Sequence, residues 1–253
     1  MNLLPDDITQ IAPGNDGYVP RDWSEHPLGG TGFAGPFNLP EYKRTEWKDR
    51  IVYLKEGRRR IADICAVMGV KPKNQGRTNT CWAYGVTMGQ EIGNALDGKP
   101  HESLSPASIA AYVTGFRDVG GWCAQALEQA RIRGWATEKR WPGTAVTSRK
   151  YAAEAEIDRV KHRATHWLDL EPRNVSQVNA CLLRDRPIPV PLAFNRIRHV
   201  MTAIEVVELP NGGFGWLCWN SGYLRDANGL TTVPFERWGG PDEALSLAVG
   251  TAG

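Results

Sequence analysis

Pro187 divides this chain into two textures, and that division constrains its fold more than any other feature. Ahead of it, helix start and stop signals alternate. Trp82 to Leu96 reads as a buried helix with small residues on several faces, closed by Asp97-Gly98. Ser105 with Pro106 at the first helical position opens a second helix through about Val113, and Gly121 to Arg133 forms a third with Gly134 beyond it. Residues 150 to 163 make a charge-rich amphipathic helix, and Asn174 to Arg184 a further one that Pro187 ends. After Pro187, Ile188 to Phe194, Val200 to Leu209, Gly215 to Trp219 and Leu230 to Phe235 are short β-rich runs, with Asn211-Gly212-Gly213 as a hairpin signal. A helical lobe followed by an antiparallel β lobe makes an α+β protein with a cleft between the lobes, where sites form.

Residues 1 to 40 contain six glycines and six prolines, which forbids a long helix or an inner strand and makes this stretch an extended arm. It also carries Leu3, Leu4, Ile8, Ile11, Tyr18, Trp23, Phe33, Phe37 and Leu39, which must dock against something apolar. The arm either plugs the protein's own cleft or seats on a neighbouring subunit or shell. Because the prolines remove strand-pairing N–H groups, the second is expected, with an assembly partner bound through the arm. The boundaries follow: arm and lead-in over 1–60, one domain over 61–238 with its helical lobe at about 61–165 and its β lobe at about 166–238, and a tail over 239–253.

Thirty basic against 28 acidic residues leave a formal charge of +2, too balanced for a nucleic-acid footprint. Neither an apolar signal region nor a run of membrane-spanning length is visible, so no secretion signal, no membrane partner and an intracellular location are expected. Five cysteines without CxxC spacing indicate neither a disulfide framework nor a zinc site, and at least one thiol is unpaired. His162 and His166, four apart on the expected helix, lack a third ligand, so no metal and no cofactor are expected.

Chemistry concentrates in Asn74-Gln75-Gly76-Arg77-Thr78-Asn79-Thr80-Cys81-Trp82-Ala83-Tyr84. Cys81 falls at the first turn of a buried helix, where the helix dipole favours the thiolate, the nucleophilic form. The Cys81 backbone N–H and the Gln75 side-chain amide are placed to converge on an oxyanion.

Here the sequence resembles the papain-like cysteine peptidases of the C1 type. Gln75-Gly76 and Cys81-Trp82-Ala83-Tyr84 are similar to that family's glutamine and cysteine block; Leu104-Ser105 to its next helix start; Gly120-Gly121 to its paired cleft glycines; His199-Val200 to its histidine; and Trp216-Leu217-Cys218-Trp219-Asn220-Ser221 to the strand ending in its asparagine. The resemblance covers roughly residues 61 to 238. It implies a two-lobed papain-like fold and a hydrolase that cleaves peptide or protein substrates. Cys81 would attack the carbonyl, His199 would hold the thiolate and protonate the leaving amine, Asn220 would orient the imidazole and Gln75 would stabilise the oxyanion. Gly120 and Gly121 would pair with an extended substrate backbone, and Trp122 would line the cleft.

The chain departs from the pattern at several points. Thr78 and Asp118 stand where the family bridges two cysteines, Asn79 replaces a glycine and is expected at positive φ, and Gly222 replaces the tryptophan that shields the asparagine–histidine bond. Trp216, Trp219 or Tyr223 would then have to provide that cover. The Gly/Pro arm cannot form the family's helical propeptide, so no zymogen control is expected. The same departures admit a second function, a papain-like domain built into an assembly such as a virion, with vestigial activity.

Overall fold

The computed structural model describes residues 17–28, 34–222 and 228–247. Among them, eight helices and seven strands alternate along the chain. Helices α1 (Trp47–Glu56), α2 (Ile61–Met68), α3 (Cys81–Leu96), α4 (Ala107–Thr114), α5 (Cys123–Arg133) and α6 (Ala152–Arg159) precede most of the sheet. Helix α7 (Val175–Leu182) and the single turn α8 (Phe235–Trp238) interrupt it. The strands β1 (Ala34–Pro36), β2 (Trp167–Leu170), β3 (Val190–Phe194), β4 (His199–Glu208), β5 (Phe214–Trp219), β6 (Leu230–Val233) and β7 (Glu243–Ser246) form one sheet in the order β1-β2-β7-β3-β4-β5-β6.

Helix ends fall where the turn chemistry puts them. Asn174 accepts the Gln177 N–H at 3.1 Å to start α7, and Ser105 Oγ accepts the Ser108 N–H at 3.2 Å as α4 begins. Gly115 ends α4 in the left-handed conformation, at φ 63°. The hydrophobic core has two parts. One lies behind the sheet, where α1, α2, α7 and α8 pack on β3, β4 and β5 through Trp47, Ile61, Val178, Met201, Trp216 and Phe235. The other fills the helical lobe, among Trp82, Ile109, Leu127, Trp135 and Trp141.

Helix α3 belongs to both, with Trp82 and Val86 in the second and Met88 and Ile92 in the first. It approaches the sheet closely at Gly85, where a β-carbon would stand 2.6 Å from Val200 Cγ1. The Gly85 carbonyl also accepts the Thr202 hydroxyl at 2.8 Å. This contact fixes the start of α3 beside the start of β4.

α1 and α2 pack behind the sheet, whereas α3 also reaches into the core of the helical lobe. The expected tail over 239–253 contains β7, a wholly buried inner strand between β2 and β3. The sheet is antiparallel except at its edge, where β1 runs parallel to β2.

Candidate active site

Cys81 is the first residue of α3 and His199 the first of β4, and Asn220 directly follows β5. His199 Nε2 lies 2.8 Å from Asn220 Oδ1. The amide orientation is fixed independently: the Gly222 N–H donates to Oδ1 at 2.9 Å, and Asn220 Nδ2 donates to Thr231 Oγ1 at 3.2 Å. Nε2 therefore carries the proton, and Nδ1 presents a lone pair. Nδ1 is buried without a hydrogen-bond partner among the described residues. Gly222 lies close to this bond: a β-carbon there would be 3.1 Å from Asn220 Oδ1 and 3.3 Å from His199 Nε2. Tyr223 lies outside the described residues.

Gln75 is fully buried and tied into the asparagine loop. Its N–H donates to the Ser221 carbonyl at 2.8 Å, its Oε1 accepts the Ser221 hydroxyl at 2.7 Å, and Nε2 donates one hydrogen to the Thr78 carbonyl at 2.7 Å. One amide hydrogen remains. Asn79 is not at positive φ, contrary to expectation. Its N–H instead donates to Asp118 Oδ1 at 2.7 Å and its carbonyl accepts the Trp82 indole at 3.2 Å. A charge-assisted hydrogen bond thus links the two loops where the resemblance would have had a disulfide; all five cysteines are free and buried.

The largest departure from expectation is the arm. Residues 17–19 cross the cleft of their own chain: the Tyr18 N–H donates to the Arg198 carbonyl at 2.9 Å, the Val19 N–H to the Gly121 carbonyl at 3.0 Å, and the Gly121 N–H to the Gly17 carbonyl at 3.0 Å. Tyr18 and Gly121 form a parallel bridge, so the cleft glycine does pair with an extended backbone, that of the arm. Gly120 remains half-buried beside it. Trp122 is also half-buried and packs on His26 of the arm, ring centres 5.3 Å apart. A β-carbon at Gly17 would stand 2.8 Å from Cys81 Sγ and 2.8 Å from the Asn79 carbonyl oxygen. Residues 17–19 thus sit in the protein's own cleft, while Leu3, Leu4, Ile8, Ile11 and Phe33 lie outside the described residues.

Under this strap Cys81 and His199 are fully buried. Burial pushes the Cys81 thiol up to about 12, partly offset by the N–H groups of Val200, Trp82 and Cys81. The same desolvation pulls the His199 imidazole down to about 4, partly offset by Asn220. The expectation of a thiolate near neutral pH does not hold for the covered site: the loss of water outweighs the N–H groups of Val200, Trp82 and Cys81.

Sequence reasoning missed the anchor of the strap. Arg21 is buried, its Nη2 3.0 Å from Asp169 Oδ2 and its Nη1 3.3 Å from Asp169 Oδ1 and 3.8 Å from Glu243 Oε1. Glu243 in turn accepts the Cys123 and Ala124 N–H groups at 3.0 Å, at the start of α5. No local signal marks these residues, which come together from across the chain. His162 and His166 fall beyond the end of α6, and no His/Cys/Asp/Glu group suited to a metal occurs among the described residues.

No protein-family model matches the chain, and no curated protein does. Solved structures do. Digestive procathepsin L 3 of Tenebrio molitor larval midgut is 15% identical over 97% of this chain and 81% of its own, with a TM-score of 0.64. Xylellain, a cysteine protease from Xylella fastidiosa, is 13% identical over 93% of this chain and 96% of its own at 0.61. The bromelain protease from Ananas comosus, in complex with the E64 inhibitor, is 19% identical over 70% and 94% at 0.58. The chain has the papain-like fold.

Proposed function

We propose that this protein is a thiol-dependent peptidase or amidase of papain-like fold, with Cys81 as nucleophile, and that the strap over residues 17–19 keeps it latent. The observation that carries the reading is the state of His199. Asn220 holds its Nε2 proton, and Nδ1 is left without a partner among the described residues, on the residue preceding Val200, whose N–H favours the Cys81 thiolate.

Once the strap moves away, water reaches the site and both desolvation shifts relax. The thiol proton passes from Sγ to Nδ1, leaving a thiolate beside an imidazolium. Sγ bonds to the substrate carbonyl carbon, and the C=O π pair moves to oxygen, where the Cys81 N–H and the remaining Gln75 amide hydrogen receive it. Collapse breaks the C–N bond, and the leaving amine takes the proton from Nδ1. Water then hydrolyses the thioester with His199 as base. Gly121 is the strand edge along which a substrate backbone would run.

The test is incubation of the purified chain carrying Gly17→Ala, which lifts the strap from Cys81, with an unstructured protein and detection of new N-termini by mass spectrometry. Cleavage that Cys81→Ala abolishes without altering the fold supports the reading; cleavage that persists in Cys81→Ala refutes it. A second reading, an assembly component with vestigial activity, is favoured by the complete burial of Cys81 and His199. It requires that no cleavage occur even when the strap is displaced.

A further inference from the structure

The chemistry above leaves one buried charged cluster unused: Arg21, Asp169 and Glu243. We infer that Arg21 is a latch that holds the strap over Cys81, so that the site opens by release of one guanidinium rather than by cutting of the chain. This rests on the proposed role of Cys81.

From Val19 to Leu28 the arm is exposed or half-exposed except at Arg21, its one buried residue there. Upstream, the crossing itself is held by the three backbone bonds to Arg198 and Gly121. Arg21 makes a denser seat: beyond its two carboxylates, its Nε donates to the His26 carbonyl and its Nη2 to the Pro27 carbonyl, both at 2.8 Å, and Trp23 covers the guanidinium at 4.3 Å. The arm is thus folded back around one side chain.

The groups facing this seat come from four places: Tyr18 of the arm, Asp169 of β2, Cys123 at the start of α5, and Asp242 and Glu243 at β7. Two of these are carboxylates buried against Arg21, and withdrawing the guanidinium deprives both of a counter-charge, a strong penalty in a dry environment. Glu243 also connects latch to cleft, since it holds the N–H groups of Cys123 and Ala124 just beyond Gly121. Burial pushes its carboxyl up to about 7, so Asp169 is the firmer partner. Downstream, β1 pairs with β2, with Pro36 in register with Asp169. An arm released at Arg21 therefore stays tethered at β1 and can reclose.

The experiment compares the full chain with Arg21→Gln and Asp169→Asn, measuring iodoacetamide labelling of Cys81 and amide hydrogen exchange by mass spectrometry. Both variants are expected to label about tenfold faster or more, because thiol reactivity follows access and thiolate fraction. Peptides covering Tyr18 and Val19 should lose protection while α3 and β4 keep theirs, and Arg21→Lys should fall in between. Unchanged labelling, or strap amides as protected as in the parent, overturns the latch. So does equal loss of protection in α3 and β4 in both variants, which would make the cluster a support of the whole fold. Faster labelling without any peptide cleavage leaves the latch standing and instead removes the peptidase reading.

Discussion

Gly17 crosses the Cys81 thiol so closely that a β-carbon on Gly17 would stand 2.8 Å from Sγ, with the Asn79 carbonyl oxygen at the same distance on another side. Neither neighbour can yield easily: one is backbone, and the other is fixed at the first residue of α3. Gly17→Ala should therefore lift the strap while leaving the core untouched. The expected outcome is faster alkylation of Cys81 by about tenfold or more with a far-ultraviolet spectrum unchanged. Labelling as slow as in the parent would mean that the thiol is shielded by something other than the strap.

The protonation state of His199 gives a second, thermodynamic signature. Its imidazole titrates near 4 when covered, against about 6.5 in an unfolded chain. Between those values the unfolded state binds the proton and the folded state does not, so stability falls as pH drops from about 6.5 through 4. The full contribution is about 3 kcal/mol. Glu243 acts in the opposite sense: its carboxyl is raised to about 7, so its contribution is complete at low pH and is lost as pH rises from about 4.5 through 7. The two overlap, and total stability is therefore a poor readout. The difference in unfolding free energy between the parent and His199→Asn, measured by urea denaturation from pH 4 to 7, isolates the imidazole. It should change across that window, and a flat difference would show that His199 is not buried in neutral form.

The candidate trio Cys81, His199 and Asn220 could be singled out in the sequence because its residue types fall in chain order within runs that also fix their local structure: a cysteine opening a helix, a histidine opening a strand, an asparagine following one. The strap was legible only in part. Six prolines in the arm deny it strand N–H groups, and from this the expectation of a seat on another subunit was drawn; yet Tyr18 and Val19 lie between Gly17 and Pro20 with both N–H groups intact, and two are enough to cross the cleft. Asp169 and β7 were illegible for another reason. An aspartate in a four-residue strand reads as a surface charge unless its partner, 148 residues away, is known. Glu243 to Ser246 is equally short, with no hairpin signal to announce an inner strand. The thiolate expectation failed on magnitude, since the N–H groups of Val200, Trp82 and Cys81 lower the thiol less than complete burial raises it.

Asp118 offers a test of the loop that presents Cys81. Its carboxylate accepts the Asn79 N–H at 2.7 Å, two residues ahead of Cys81. Asp118→Ala leaves that N–H without its charged acceptor and should cost about 1–2 kcal/mol in urea unfolding. Asp118→Asn keeps an acceptor oxygen and should recover more than half of the loss. Equal effects for the two substitutions would place the role of Asp118 in its charge rather than in the bond.

Gln75 separates support from catalysis. Its carbonyl oxygen and backbone N–H are engaged by Ser221, and one amide hydrogen by Thr78, so the side chain braces the loop that carries Asn220 as well as offering a donor to the cleft. Gln75→Ala removes both functions; Gln75→Glu keeps an acceptor for the Ser221 hydroxyl but removes the amide hydrogens. If the remaining hydrogen stabilises the oxyanion, both variants should lower kcat by about a hundredfold or more with KM little changed, because the interaction is made only as charge develops. The measurement belongs in the Gly17→Ala background, where the strap no longer limits access. If Gln75→Glu retains the parent kcat while Gln75→Ala loses it, the side chain acts by holding the Ser221 loop, and the oxyanion must be stabilised by the Cys81 N–H and other donors instead.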